Sequence, residues 1–166
     1  MKDLRIRDTR TDELQDLLDL NQAHVPHVGS VSLDGLVHLY NEAVYFRVAE
    51  SKDRIMGFLI ALEPNADYDS LNFLWFRDRY KSFVYIDRIA IAPEGHRKGI
   101  ASRLYQDLES YAITRKIPIM VCEYNLRPKN EISRLFHGNY GFKEVGRQNT
   151  EQGKKLVSLQ IRHIIT

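Results

Sequence analysis

The chain has a single cysteine, Cys122, among 166 residues, so no intrachain disulfide can form. Charge of one sign is nearly lacking. The 24 Lys and Arg stand against 22 Asp and Glu, a formal net charge of +2, which argues against nucleic acid or an anionic membrane as the main partner. No apolar run approaches the ~20 residues that cross a bilayer, and the opening "MKDLRIRDTR" carries no apolar signal region. Repeats, low-complexity tracts and linker-like stretches are missing. Neither G-x-x-x-x-G-K-[ST] nor G-x-G-x-x-G occurs, which disfavours a P-loop and a dinucleotide fold. What remains is one domain over residues 1–166 with a single core, expected to be cytoplasmic.

Hydrophobic spacing then orders the chain. "DLRIRDT" alternates Leu4 and Ile6 with polar residues, as a half-buried strand does. Thr11 or Asp12 is placed to cap a helix carrying Leu14, Leu17 and Leu18, and Pro26 and Gly29 end that segment. Ser32 can cap a second helix with Leu33, Leu36, Val37 and Tyr40 at helical spacing. "VYFRVAE" and "RIMGFLIAL" read as strands joined by a turn at "SKD", without the Asn-Gly signature. Residues 63–80 lack a clean period and read as a long connection, a feature that is often functional. "SFVYIDRIAIA" is a strand ended by Pro93, followed by a helix with Ile100, Leu104, Leu108 and Tyr111 on one face. "IPIMVCEYN" is a strand. A short helix after Asn130 is expected to turn Ile132, Leu135, Phe136 and Tyr140 inward and to stop at Gly141. "GFKEVGR" and "KLVSLQIRHI" close the chain as strands. This order implies an α/β fold with a mixed sheet, in which the helix after the central strand crosses over to a parallel partner at residues 117–124.

The stretch "IAPEGHRKGIASRLY" is chemically distinctive. A strand breaks at a proline, turns through Gly-His-Arg-Lys-Gly and opens a helix, whose first amides have no partner within the helix. Such amides and the helix dipole suit a phosphate or pyrophosphate. Gly99 and Ala101 keep side chains away from a close ligand, and His96, Arg97 and Lys98 add positive potential. An ordinary strand-to-helix turn with a solvated basic tip accounts for the same residues. His24 and His27 have Pro26 between them and no third ligand stands out, so no metal is expected.

"HRKGIA" resembles the [QR]-x-x-G-x-[GA] pyrophosphate loop of the GNAT acyl-CoA N-acetyltransferases, and "NEISRLFHGNYGFKEVGR" is similar to that superfamily's N-x-x-[AS]-x-x-F-Y-x-x-x-G-F-x-x-x-G-R ending. Two residues depart from the pattern: His96 replaces the Gln or Arg that opens the loop, and His137 replaces the tyrosine after Phe136. The resemblance implies a mostly antiparallel sheet of about seven strands, with a parallel central pair, flanked by about four helices. It implies acetyl-CoA as co-substrate, held by backbone at Ile89 and Ile91 and by His96, Arg97, Lys98, Gly99, Ile100, Ala101, Ser102 and Arg103, with Asn130 and Phe136 on the cofactor arm. Asn130 is equally a helix cap, and Phe136 equally a core aromatic.

The implied chemistry is acyl transfer from a thioester to a primary amine of a small molecule or peptide. The amine must lose a proton before attack, and the thiolate leaves more easily when protonated. Asp87 aligns with the acidic residue that many relatives use as base, and Glu123 is a second candidate; a salt bridge to Arg88 is the alternative for Asp87. His137 stands at the general-acid position, or is an exposed residue at a helix end. Cys122 reads as a buried thiol. His27 lies in a loop that the resemblance places beside the acceptor. Trp75 and Phe76, with Phe73 and Tyr80, form an acceptor wall, a homodimer contact or sheet packing. The expected activity is direct transfer in a ternary complex; the rival is a non-catalytic acyl-CoA-binding module.

Overall fold

A computed structural model describes residues 1–164. In chain order the elements are β1 (Arg5–Asp8), α1 (Leu14–Gln22), α2 (Leu33–Glu42), β2 (Tyr45–Ser51), β3 (Arg54–Leu62), α3 (Leu71–Arg77), β4 (Val84–Ile91), α4 (Ile100–Thr114), β5 (Ile119–Arg127), α5 (Glu131–Tyr140), β6 (Lys143–Thr150) and β7 (Lys155–His163). The strands form one seven-stranded sheet in the order β1-β2-β3-β4-β5-β7-β6. β4 and β5 pair in parallel at Val84↔Met120 and Tyr85↔Val121, whereas β1–β2, β2–β3, β5–β7 and β6–β7 are antiparallel. The expected α/β class, strand number and parallel pair are all present.

The chain divides into two compact units. The first holds Met1–Leu62 and Ile86–Tyr111. Leu17, Leu36, Val48, Phe58, Leu104 and Leu108 are shut off from solvent there. Its β2–β3 turn leaves Lys52 at φ 51° and Asp53 at φ 59°, the left-handed pair that a two-residue hairpin loop requires, here without Asn-Gly. The second holds Glu63–Tyr85 and the chain from Ala112 onward. Phe73, Phe76, Phe83 and Tyr85 are its fully buried aromatics.

Local chemistry corrects four expectations. Neither Thr11 nor Asp12 caps α1. A 3-10 turn, Thr11–Glu13, precedes it instead, and Glu13 reaches back to the Arg10 amide at 2.9 Å. The connection over 63–80 contains a fifth helix, α3. Ser70 caps it by accepting from the Phe73 amide at 3.4 Å, and seven residues are too few for a period to show in the sequence. In α2, Ser32 caps as expected by accepting from the Gly35 amide, but Leu36 and Leu39 make the buried stripe while Leu33 and Val37 face solvent. In α5, Ile132 is 84% exposed and Leu135 49%, and His137, at 4%, turns inward in their place. That register is set by aromatic contacts: the His137 ring stacks on Tyr124 at 5.7 Å and meets Phe142 edge-on at 5.2 Å. Gly141 ends α5 at φ 102°, where a Cβ is disfavoured.

Candidate active site

In the first unit, β4 runs into the turn before α4. The Ala92 amide donates to the Met56 carbonyl at 2.8 Å, and a 3-10 turn over Pro93–Gly95 follows. A Cβ on Gly95 would lie 2.7 Å from Ile100 Cδ1 and 3.2 Å from the Met56 carbonyl oxygen, so this glycine exists for close packing under the turn. Gly99 differs: its φ is +73° and a Cβ there would meet nothing within 4 Å. Arg97 is also left-handed, at φ 60°. His96, Arg97, Lys98 and Gly99 are exposed, whereas Ile100 is buried and anchors the helix start. The Arg103 amide donates to the Gly99 carbonyl at 3.1 Å, which makes Gly99 the residue before the first turn. The amides of Ile100, Ala101 and Ser102 thus have no acceptor one turn earlier in the helix.

This turn fits an anionic group: exposed basic side chains, open space over a glycine and helix N-terminal amides lie within six residues of sequence, His96 to Ala101. His96 Nε2 lies 3.0 Å from the Ile91 carbonyl oxygen, so the ring braces the turn from below. One guanidinium nitrogen of Arg103 donates to the Leu4 carbonyl at 3.2 Å and ties the first turn of α4 to the chain before β1. Ile89 and Ile91 are half-buried on one face of β4.

Asp87 Oδ2 accepts from Arg88 Nε at 2.6 Å, the salt bridge that the sequence left open. His27 is exposed between α1 and α2.

In the second unit, Glu123 on β5 is half-buried, and its Oε1 accepts from the Tyr85 hydroxyl at 2.8 Å. Burial, and then the charge of Glu123, push the Cys122 thiol well above its ordinary range, so it stays protonated as expected of a buried thiol. Asn130 caps α5: its Oδ1 accepts from the Ser133 amide at 3.2 Å. Phe136 is half-buried and packs against His137 and Tyr140.

His137 needs correction. It is not an exposed helix-end residue, and burial lowers its pKa to about 4, against a partly opposing hydrogen bond from Ser133. Nδ1 lies 2.7 Å from the Ser133 carbonyl oxygen. A carbonyl only accepts, so the neutral ring carries its proton on Nδ1 and presents Nε2 as an acceptor. Near neutral pH, therefore, this ring is no imidazolium donor for a leaving thiolate.

The acceptor-wall expectation is also revised. Phe76 is fully buried against Phe83 and Tyr85 and has no surface to offer a ligand. Trp75 lies over Gly146, where a Cβ would come within 2.7 Å of the indole, and Arg79 stacks on its other side at 4.0 Å. Both residues pack within the unit. Sequence reasoning missed Tyr85 and Asn21; Tyr85 was discoverable as the residue on the same face of its strand as Asp87.

No curated protein matches the chain in sequence. Solved structures do match in fold. Ard1 from Thermoplasma volcanium is 14% identical with a TM-score of 0.80, covering 99% of this chain and 99% of that one. The ribosomal-protein-S18-alanine N-acetyltransferase from Escherichia coli is 16% identical with a TM-score of 0.75 over 98% and 95%. YncA from Salmonella typhimurium, solved with acetyl-CoA, is 17% identical with a TM-score of 0.73 over 98% and 95%. The acetyltransferase (GNAT) family model matches residues 9–142, so most of the chain lies within it, and the protein belongs to the GNAT acetyltransferase family.

Proposed function

We propose that the chain acts as one domain, an N-acetyltransferase that moves an acetyl group from acetyl-CoA to a primary amine by direct transfer in a ternary complex. The observation that carries this reading is the turn ahead of α4, with exposed His96, Arg97 and Lys98, an unobstructed Gly99 and helix N-terminal amides. In this assignment the amides of residues 97–101 hold the pyrophosphate, Ser102 lines the same turn, and Ile89 and Ile91 border the pantetheine arm. Asn130 and Phe136 serve the same arm, and Asn130 keeps its capping bond as well. Acetyl-CoA supplies the acyl group already activated as a thioester.

The protein's task is then to take a proton from the amine. Glu123 is assigned that task, because its carboxylate is oriented by a neutral hydroxyl, Tyr85, and not neutralised by a cation there. Asp87 is assigned as the counter-charge of Arg88. His27 is assigned to the amine substrate, a small molecule or a peptide. The Escherichia coli neighbour is described as acting on alanine of a ribosomal protein, which supports including peptides.

An amine library incubated with acetyl-CoA, read by free-thiol release, tests the activity. At least one amine should accelerate thiol release over the amine-free control. CoA at about 100 times its dissociation constant should stabilise the fold by roughly 2.7 kcal/mol. Gly99→Glu should abolish that shift by placing bulk and negative charge over the amides. Gly99→Asn, which tolerates a left-handed backbone, should keep the fold and controls for strain. Stabilisation by CoA with no turnover of any amine would assign the non-catalytic acyl-CoA-binding module instead.

A further inference from the structure

The segment between α1 and α2, residues 23–32, contains no helix or strand, yet side chains fasten it at both ends. At the far end stands Arg88 of β4. Its Nη1 donates to Asn21 Oδ1 at 3.0 Å and to the Gly29 carbonyl at 3.1 Å, while its Nε holds Asp87. The side chains of Arg88 and Asp87 are 7% and 4% exposed, and Asn21 is fully buried. Asn21 Nδ2 also donates to the Gly29 carbonyl, at 3.1 Å, and to Gln22 Oε1, at 2.9 Å. Gln22 closes the loop from outside: its Oε1 accepts from the Val31 amide at 3.1 Å and its Nε2 donates to Ser30 Oγ at 2.9 Å. At the near end, His24 Nδ1 bonds the Leu20 carbonyl at 2.9 Å, and the ring meets His96 of the cofactor turn edge-on at 6.3 Å.

A buried guanidinium is costly to desolvate, and an apolar side chain of similar volume would stabilise the same place at least as well. What the guanidinium adds is a rigid fork that reaches a carboxylate, an amide oxygen and a backbone carbonyl at once. Two of those acceptors, Asn21 and Gly29, bracket the irregular segment. We propose that Arg88, anchored by Asp87, is a positioning residue: it holds residues 23–31, and with them His27, in the arrangement that receives the amine. The inference rests on the reading above that this segment belongs to the amine site.

The test uses Arg88→Lys, which keeps the charge beside Asp87 but loses the fork, and Gln22→Ala at an exposed position that leaves the buried pair intact. Two quantities are read: amide hydrogen exchange over residues 23–31, and steady-state constants with the amine that turns over best. Exchange at residues 28–31 should rise about tenfold or more in both variants. The KM for the amine should rise about tenfold in Arg88→Lys and about threefold in Gln22→Ala, with kcat and the KM for acetyl-CoA within about twofold of the parent. Unchanged exchange in both variants overturns the clamp. Faster exchange with an unchanged amine KM overturns the positioning role while leaving acetyl transfer intact. A fall in kcat together with a rise in both KM values marks general damage and also overturns it. Should Arg88→Lys fail to fold, Gln22→Ala alone decides. A parent chain that binds CoA but turns over no amine overturns the acetyl-transfer reading and this role with it.

Discussion

Glu123 and Asp87 carry the same functional group, and their neighbours set them apart. One oxygen of Asp87 is bonded to the buried Arg88 guanidinium, whereas Glu123 meets the Tyr85 hydroxyl. Taking a proton needs a carboxylate whose lone pair is not already committed to a fixed cation. Glu123→Gln should lower kcat on the order of 10²-fold, the usual scale of general-base work. Asp87→Asn leaves Arg88 buried without its counter-charge, so it should lower the melting temperature and raise the amine KM before it lowers kcat. Stopped-assay kinetics on both variants, with melting curves, separate the two roles; a larger kcat loss in Asp87→Asn than in Glu123→Gln would reverse them. At this scale the sequence was readable only in part. Local motifs such as the Gly99 turn depend on neighbours along the chain and could be read from it. The Arg88–Asn21 bond joins residues 67 apart, and nothing in the local pattern announces it.

At the scale of elements, the strands were legible because alternating or continuous apolar runs are strong local signals. The face of α5 was not, because its buried position is filled by a histidine and its exposed positions by Ile132 and Leu135. Burial is decided there by Tyr124 and Phe142, which lie outside the helix. The burial of His137 has a measurable consequence. Its pKa is lowered to about 4 in the fold from an ordinary 6.5. A group whose folded pKa is depressed adds stability above its unfolded pKa and loses it as pH falls towards the folded value. The loss therefore runs from about pH 6.5 down to about 4, and at pH 5 it amounts to roughly 2 kcal/mol. His137→Phe, which keeps an aromatic ring against Tyr124, should flatten the decline in melting temperature between pH 7 and 5. A parallel decline in parent and variant would show that the ring is not buried neutral.

For the molecule as a whole, acid should act in two steps, one from each compact unit. The His137 step belongs to the second unit and comes first. In the first unit, β1, the 3-10 turn and β2 share a network in which Arg7 lies between two carboxylates, 2.5 Å from Glu13 and 2.5 Å from Glu50. The hydrogen bond from Arg7, helped by the Arg10 amide and guanidinium, lowers the Glu13 pKa to about 2 against the opposing effect of burial. Bonds from Arg5 and then Arg7 lower Glu50 as well. Both carboxylates therefore stabilise the fold above about pH 4.5, the ordinary glutamate value, and the Glu13 contribution is lost as pH falls through about 2. Arg7→Met removes the shared cation and leaves two half-satisfied carboxylates with side chains only 11% and 6% exposed. Breaking such a pair by deleting one partner should cost about 3 kcal/mol at neutral pH. Protonation of Glu13 and Glu50 relieves the variant at a higher pH than it weakens the parent, so the difference between them should shrink steadily below about pH 4.5. Urea denaturation of both proteins at pH 7 and near pH 3 measures this directly. A difference that stays constant between the two conditions would mean that Arg7 contributes through its packed methylenes alone and that its charge is immaterial to the fold.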